Sequence, residues 1–71
     1  MFSRFMQLLA ANSSVTLRNP APGEIAFRIG SKLYVLSTDQ PLEITRFVPR
    51  RQLQQAVELH ARIKAGLVQV S

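Results

Sequence analysis

Residues 24 to 37 read EIAFRIGSKLYVLS. Two runs rich in β-branched and aromatic residues flank a Gly30-Ser31 pair, and that arrangement specifies a β-hairpin with a two-residue loop. Glycine at the first central position suits a type II′ turn, whose twist matches that of the strands it joins. The turn fixes the register. Ile29 falls opposite Lys32, Phe27 opposite Tyr34, and Ile25 opposite Leu36, all on one face. Ala26, Arg28, Leu33 and Val35 share the other face. Apolar residues occur on both, so both faces are expected to be covered at least in part.

The remaining segments must pack around this hairpin. Residues 15 to 19, VTLRN, alternate apolar and polar side chains and read as a short strand. The PAPG loop at residues 20 to 23 follows, with two prolines that lack N–H donors and a glycine that permits a turn. After a turn at residues 37 to 41, LEITRF is expected to be a further strand over 42 to 47, with Leu42 and Ile44 on one side and Glu43, Thr45 and Phe47 on the other. Pro49 is placed to open a helix. That helix is expected to run unbroken to Ala65, with Gly66 as its left-handed stop. Its apolar arc is Leu53, Ala56, Leu59, His60 and Ile63, with Val57 at the edge. Glu58 and Arg62 are spaced for a solvated ion pair. LVQV, residues 67 to 70, returns as a closing strand.

The N-terminal segment carries a different signal. Phe2, Phe5, Met6 and Leu9 fall on one helical stripe, and Ser3 is placed to cap the first turn. Asn12, Ser13 and Ser14 break the pattern. A helix this short must lean on something to persist. Its own domain and a neighbouring subunit are both open as the support. The division drawn is an N-terminal helical arm over 1–13 and a single small domain over 14–71. The fold class is α+β: a small antiparallel sheet or open barrel of four to five short strands, with one long C-terminal helix and a short N-terminal helix.

A chain of 71 residues buries a small core, and with no cysteine it has no disulfide to reinforce it. Oligomerisation or docking on a larger body is the expected compensation. Apolar residues make up 46% of the chain, enough to fold rather than stay disordered. No apolar stretch approaches the length that spans a bilayer, and no membrane partner is expected. The opening residues imitate a signal peptide only in outline, because Arg4 and Gln7 interrupt the apolar part.

The net charge is +5. The basic residues are scattered, and only Arg46, Arg50 and Arg51 approach a cluster. Arg50 and Arg51 stand at the start of the long helix, the end where its dipole disfavours positive charge. They are therefore expected to serve a contact outside the helix, either carboxylates on a neighbouring chain or phosphate. The candidate partner-binding residues are Phe2, Phe5, Met6, Leu9, Arg46, Arg50 and Arg51.

Nothing in the chain spells out a reaction. His60 is the only histidine and sits among apolar positions, which marks a core or interface side chain rather than a general base. Asp39 and Glu43, the acids that could orient it, have no recognisable spacing to a serine or threonine. One histidine and four scattered carboxylates form no metal-ligand set. The glycine segments PAPGE and RIGSK lack the spaced glycines and Lys-Ser/Thr of a phosphate-cradling loop. No catalytic, cofactor or metal site is expected. Phe27 and Tyr34 could stack bases beside Arg28 and Lys32, but they share their face with Ile25, Ile29 and Leu36, which is a core pattern.

The run VTLRNPAPGEIAFRIGSKLYVLS with the later PLEI, and the AGLVQVS ending, resemble small virion proteins of tailed bacteriophages. In those a strand ends in an Asn-containing turn, a hairpin follows, and a helix leads to a closing strand. The resemblance covers residues 15 to 71. It implies a structural role as a head-decorating, neck or tail component, assembled in the host cytoplasm and resident in the virion. Its partners would be other virion proteins or copies of itself. A small nucleic-acid-binding or regulatory domain that uses the basic residues stays open as the alternative.

Overall fold

The computed structural model describes residues 3 to 71. Helix α1 (Arg4–Ala10) is capped by Ser3, whose Oγ accepts from the Met6 N–H at 3.2 Å. The helix ends in a left-handed residue, Asn12, with φ 59°. The Asn12 N–H reaches Leu9 O and the Ser13 N–H reaches Leu8 O, so two otherwise orphaned carbonyls are satisfied. Asparagine adopts this conformation more readily than other non-glycine residues. Strand β1 (Thr16–Arg18) follows, then β2 (Glu24–Ile29) and β3 (Lys32–Ser37).

β2 and β3 pair in the register that the two-residue loop requires, with Ile29 on Lys32, Phe27 on Tyr34 and Ile25 on Leu36. Gly30 has φ 63° while Ser31 stays on the negative side, as a type II′ turn demands. Phe27, Ile29 and Leu36 are buried, with Ile25 and Tyr34 packed beside them. The opposite face departs from expectation. Ala26, Arg28, Leu33 and Val35 are all exposed, because the helices cover only one side of the hairpin.

The strands form two small antiparallel sheets rather than one sheet or barrel. β1 lies between β4 (Leu42–Glu43) and β5 (Gln69–Val70), with Leu17 opposite both Leu42 and Val70. The hairpin stands apart as the second sheet. Prolines at 20 and 22 remove ladder donors where β1 would run on toward it. Asn19 joins the two sheets instead. Its buried amide donates to Gly23 O and Leu36 O, both at 3.1 Å, and its Oδ1 accepts from the Ala21 N–H at 3.0 Å.

The strand expected over 42 to 47 stops at Glu43 and continues as a 3₁₀ turn, Ile44–Arg46. Ile44, which opens this turn, and Val48, just beyond it, are both buried, and Phe47 is left outside. Val15 locks the turn in place, because its O accepts from the Ile44 N–H and its N–H donates to Thr45 Oγ1.

The long C-terminal helix is in fact two. α2 (Arg50–Gln54) and α3 (Val57–Lys64) meet at Ala56, whose ψ of 85° leaves the helical region. The apolar arc survives the break, since Leu53, Ala56 and Leu59 are all buried. The bend lets α2 lie on α1 while α3 lies on β2. His60 bridges the break, with Nε2 3.1 Å from Leu53 O, a carbonyl that also accepts from the Ala56 N–H. A carbonyl accepts, so this bond places a proton on Nε2. α3 ends as expected at Gly66, φ 78°, with the Gly66 N–H on Ile63 O and the Leu67 N–H on Arg62 O.

Candidate interaction surface

The residues singled out from the sequence as contacts are not brought together as one free surface. Phe2 lies outside the described residues. Phe5 and Leu9 belong to the chain's own core, and Phe5 meets the His60 ring edge-on with centroids 5.0 Å apart. The helical segment is therefore no detached arm in respect of these two side chains. They are already occupied, because a core this small takes every large apolar side chain that can reach it. Met6 is half-buried and, with Gln7, Ala10, Ala11 and Gln54, lines an open depression between α1 and α2.

The basic residues are partly spoken for within the chain. Arg46 Nε sits 2.9 Å from Glu43 Oε2, a spacing that the 3₁₀ turn creates. Arg50 is half-buried and points Nη1 at Leu9 O from 3.5 Å. A positive charge at the carbonyl end of α1 is favourable to that helix dipole, although it is unfavourable at the start of α2. Arg50 thus finds its use on a neighbouring helix, which a helical wheel of its own segment cannot reveal. Arg51 is exposed.

Glu58 does not turn to Arg62 as its spacing suggested. Its Oε1 accepts from the Arg28 backbone N–H at 3.2 Å, which satisfies an outward donor on the free edge of β2. The hairpin therefore has one edge dressed by α3. The other edge belongs to β3, which pairs only with β2 among the described strands.

On that side the surface is apolar. Leu33 is 51% and Val35 50% exposed, and their cross-strand neighbours are Arg28 and Ala26. Large apolar side chains on a sheet face beside an unpaired strand edge are the usual material of protein contacts. The register inferred from the sequence already grouped these four residues. What it could not show is that a short chain has too few helices to cover the second face. The reverse face packs on the core, with buried Phe27 stacked on the half-buried Tyr34 at 5.9 Å and Lys32 Nζ 5.3 Å from the Tyr34 ring centre. Phe27 is thereby enclosed, while Tyr34 keeps part of its surface in solvent.

No known family model, curated protein or solved structure matches this chain. Among the described residues, no helix is long and apolar enough to cross a membrane.

Proposed function

We propose that this chain is a non-catalytic structural protein that acts by docking to other protein chains, as a virion component of the head, neck or tail. The observation that carries the docking role is the exposed hairpin face with Leu33 and Val35 beside the open edge of β3. Marginal stability in so short a chain favours a protein that is completed by its neighbours. The virion setting rests on the resemblance of residues 15 to 71. The nucleic-acid reading is less well supported, because Arg46 and Arg50 already have partners within the chain and Phe27 is core.

The test is mass spectrometry of purified particles from the source of the chain, set beside a mobility-shift titration of the free protein. Recovery of the chain at a fixed stoichiometry in particles supports the proposal. Salt-sensitive binding to DNA or RNA at micromolar concentration, with no chain in any particle, overturns it.

A further inference from the structure

We infer that the depression between α1 and α2 receives an acidic, amphipathic segment of a different protein, with an apolar side chain set on Met6, Ala10 and Ala11 and carboxylates held by Arg4 and Arg51. The inference rests on the docking role and adds to it a second surface and the chemistry of what binds there. The depression is lined by Met6, Gln7, Ala10 and Ala11 from α1 and by Gln54 from α2. Its shape follows from side-chain size. Ala10 and Ala11 are exposed and short, so α1 leaves a hollow where α2 runs beside it. Met6 is half-buried there, and its unbranched thioether adapts to the shape of what covers it. The floor is thus apolar, and the exposed amide of Gln54 can both donate and accept at its border.

The charges around this hollow are of one sign. Arg4 precedes Gln7 by three positions and Ala11 by seven, so it lies on their side of α1. Arg51 precedes Gln54 by three and shares its side of α2. Both arginines are exposed. Among the described residues neither has a carboxylate partner. Glu43 is paired with Arg46, Glu58 accepts from the Arg28 N–H, and Glu24 accepts from Ser37 Oγ. No acid occurs in residues 3 to 14 or 47 to 57. Arg4 and Arg51 also stand in the first turns of their helices, where the dipole disfavours positive charge. Within the chain these two charges lower stability, and a contact beyond it gives them a use.

The same observations select among occupants. A two-fold contact of this surface with itself would set the arginines of one copy against those of the other, in a chain of net charge +5. Nucleic acid would satisfy the guanidinium groups, but no aromatic side chain lines the hollow to stack a base. An acidic helix with an apolar stripe answers both the floor and the charges, in the way amphipathic helices lie in apolar grooves. Seven residues of α1 and five of α2 give such a helix only a short seat, so the affinity of one contact is modest.

The probe is a helical peptide of about fifteen residues, with leucines along one stripe and glutamates beside it, titrated against the isotope-labelled chain by nuclear magnetic resonance. The amide signals of Ala10, Ala11 and Gln54 should move and saturate below millimolar peptide. The same peptide with lysine in place of glutamate, a short DNA duplex and vesicles of anionic lipid should leave those signals in place. Arg4→Glu combined with Arg51→Glu should weaken peptide binding by about tenfold, the loss of two exposed ion pairs and their reversal. Its thermal midpoint should match or exceed that of the parent, because an acid suits the first turn of a helix. Lost binding in that variant is therefore not lost folding. No movement of the three amides near millimolar acidic peptide overturns the inference. So does a double variant that binds as tightly as the parent, or a lysine peptide, duplex or vesicle that moves the same amides equally well. Presence of the chain in particles without peptide binding overturns the inference and leaves the virion role standing. Peptide binding by a chain absent from every particle does the reverse.

Discussion

Replacing Phe5 with alanine should come close to unfolding this protein. The ring is completely buried in a core that it shares with Leu9, Leu53 and Leu59, and its edge contact with His60 adds to the loss. Truncating a buried phenylalanine costs roughly 3–5 kcal/mol, from lost transfer energy and from the cavity left behind. The aromatic contact accounts for about 0.5–1.5 kcal/mol of such effects. A domain of this length is expected to have a total stability of roughly 4–10 kcal/mol. The variant would then retain a small margin or none. α1 has seven residues and cannot hold its helix undocked, so its circular dichroism signal should fall with the core. Urea denaturation in dilute solution is the assay. With a slope of about 1 kcal/mol per molar for so small a protein, the midpoint should drop by about 3–5 M, or the folded baseline should disappear. Phe5→Leu should lose far less, on the order of 1 kcal/mol. A loss below about 1 kcal/mol for Phe5→Ala would mean that the monomer does not depend on this helix. An arm that docks on a neighbour would then be the better description of residues 1 to 13.

Gly30→Val should destabilise by more than about 1 kcal/mol, since a β-branched residue resists φ 63° and its Cβ would stand 2.7 Å from Gln52 Nε2. Unchanged thermal unfolding would contradict the turn. Asn19→Ala should cost about 1–3 kcal/mol in urea denaturation, because Leu36 O loses its buried amide donor and the Ala21 N–H its acceptor, while Gly23 O keeps its bonds from Thr38. A loss within about 0.5 kcal/mol would show that the two sheets are not joined there. The double change Arg50→Ala with Arg51→Ala removes charges unfavourable to α2 but also the contact of Arg50 with the end of α1. The net effect on monomer stability should lie within about 0.5 kcal/mol of zero. A loss above about 1.5 kcal/mol in thermal unfolding would give Arg50 a larger role than its long contact implies.

The hairpin was legible in the sequence down to its register, because a two-residue loop with a leading glycine leaves the pairing little freedom. Ser3 and Gly66 marked helix ends for a similar local reason: each satisfies backbone groups within a few residues of itself. The break at Ala56 gave no such sign. No glycine or proline stands there, and the bend follows from two helices resting on different supports, α1 and β2. The segment from Leu42 to Phe47 was ambiguous in principle, since Leu42 and Ile44 fit an alternating strand and the spacing of Ile44 and Val48 fits a strand and a helical turn alike. The division into two sheets depends on which strand finds β1, and alternation along one strand says nothing about that choice. At the surface, the apolar residues of the open hairpin face could be grouped from register alone. Their exposure depended on how far the helices reach. The contacts that Arg46 and Arg50 make within the chain were hidden for a related reason, because they meet Glu43 and Leu9 O through turns that a linear spacing does not display.

The central position of β1 has a consequence for the order in which the molecule assembles. One of its neighbours, β5, arrives from the far end of the sequence, with Leu17 opposite Val70. Closing so long a loop carries a larger entropic penalty than closing the hairpin. During synthesis the hairpin can form as soon as Ser37 is clear of the ribosome, but the three-stranded sheet must wait for β5. Until then the Thr16–Arg18 strand has one side bare, and the nascent chain carries two open edges, β1 and β3. A chain stalled or clipped before Gln69 would keep that second edge and would be the species most inclined to aggregate.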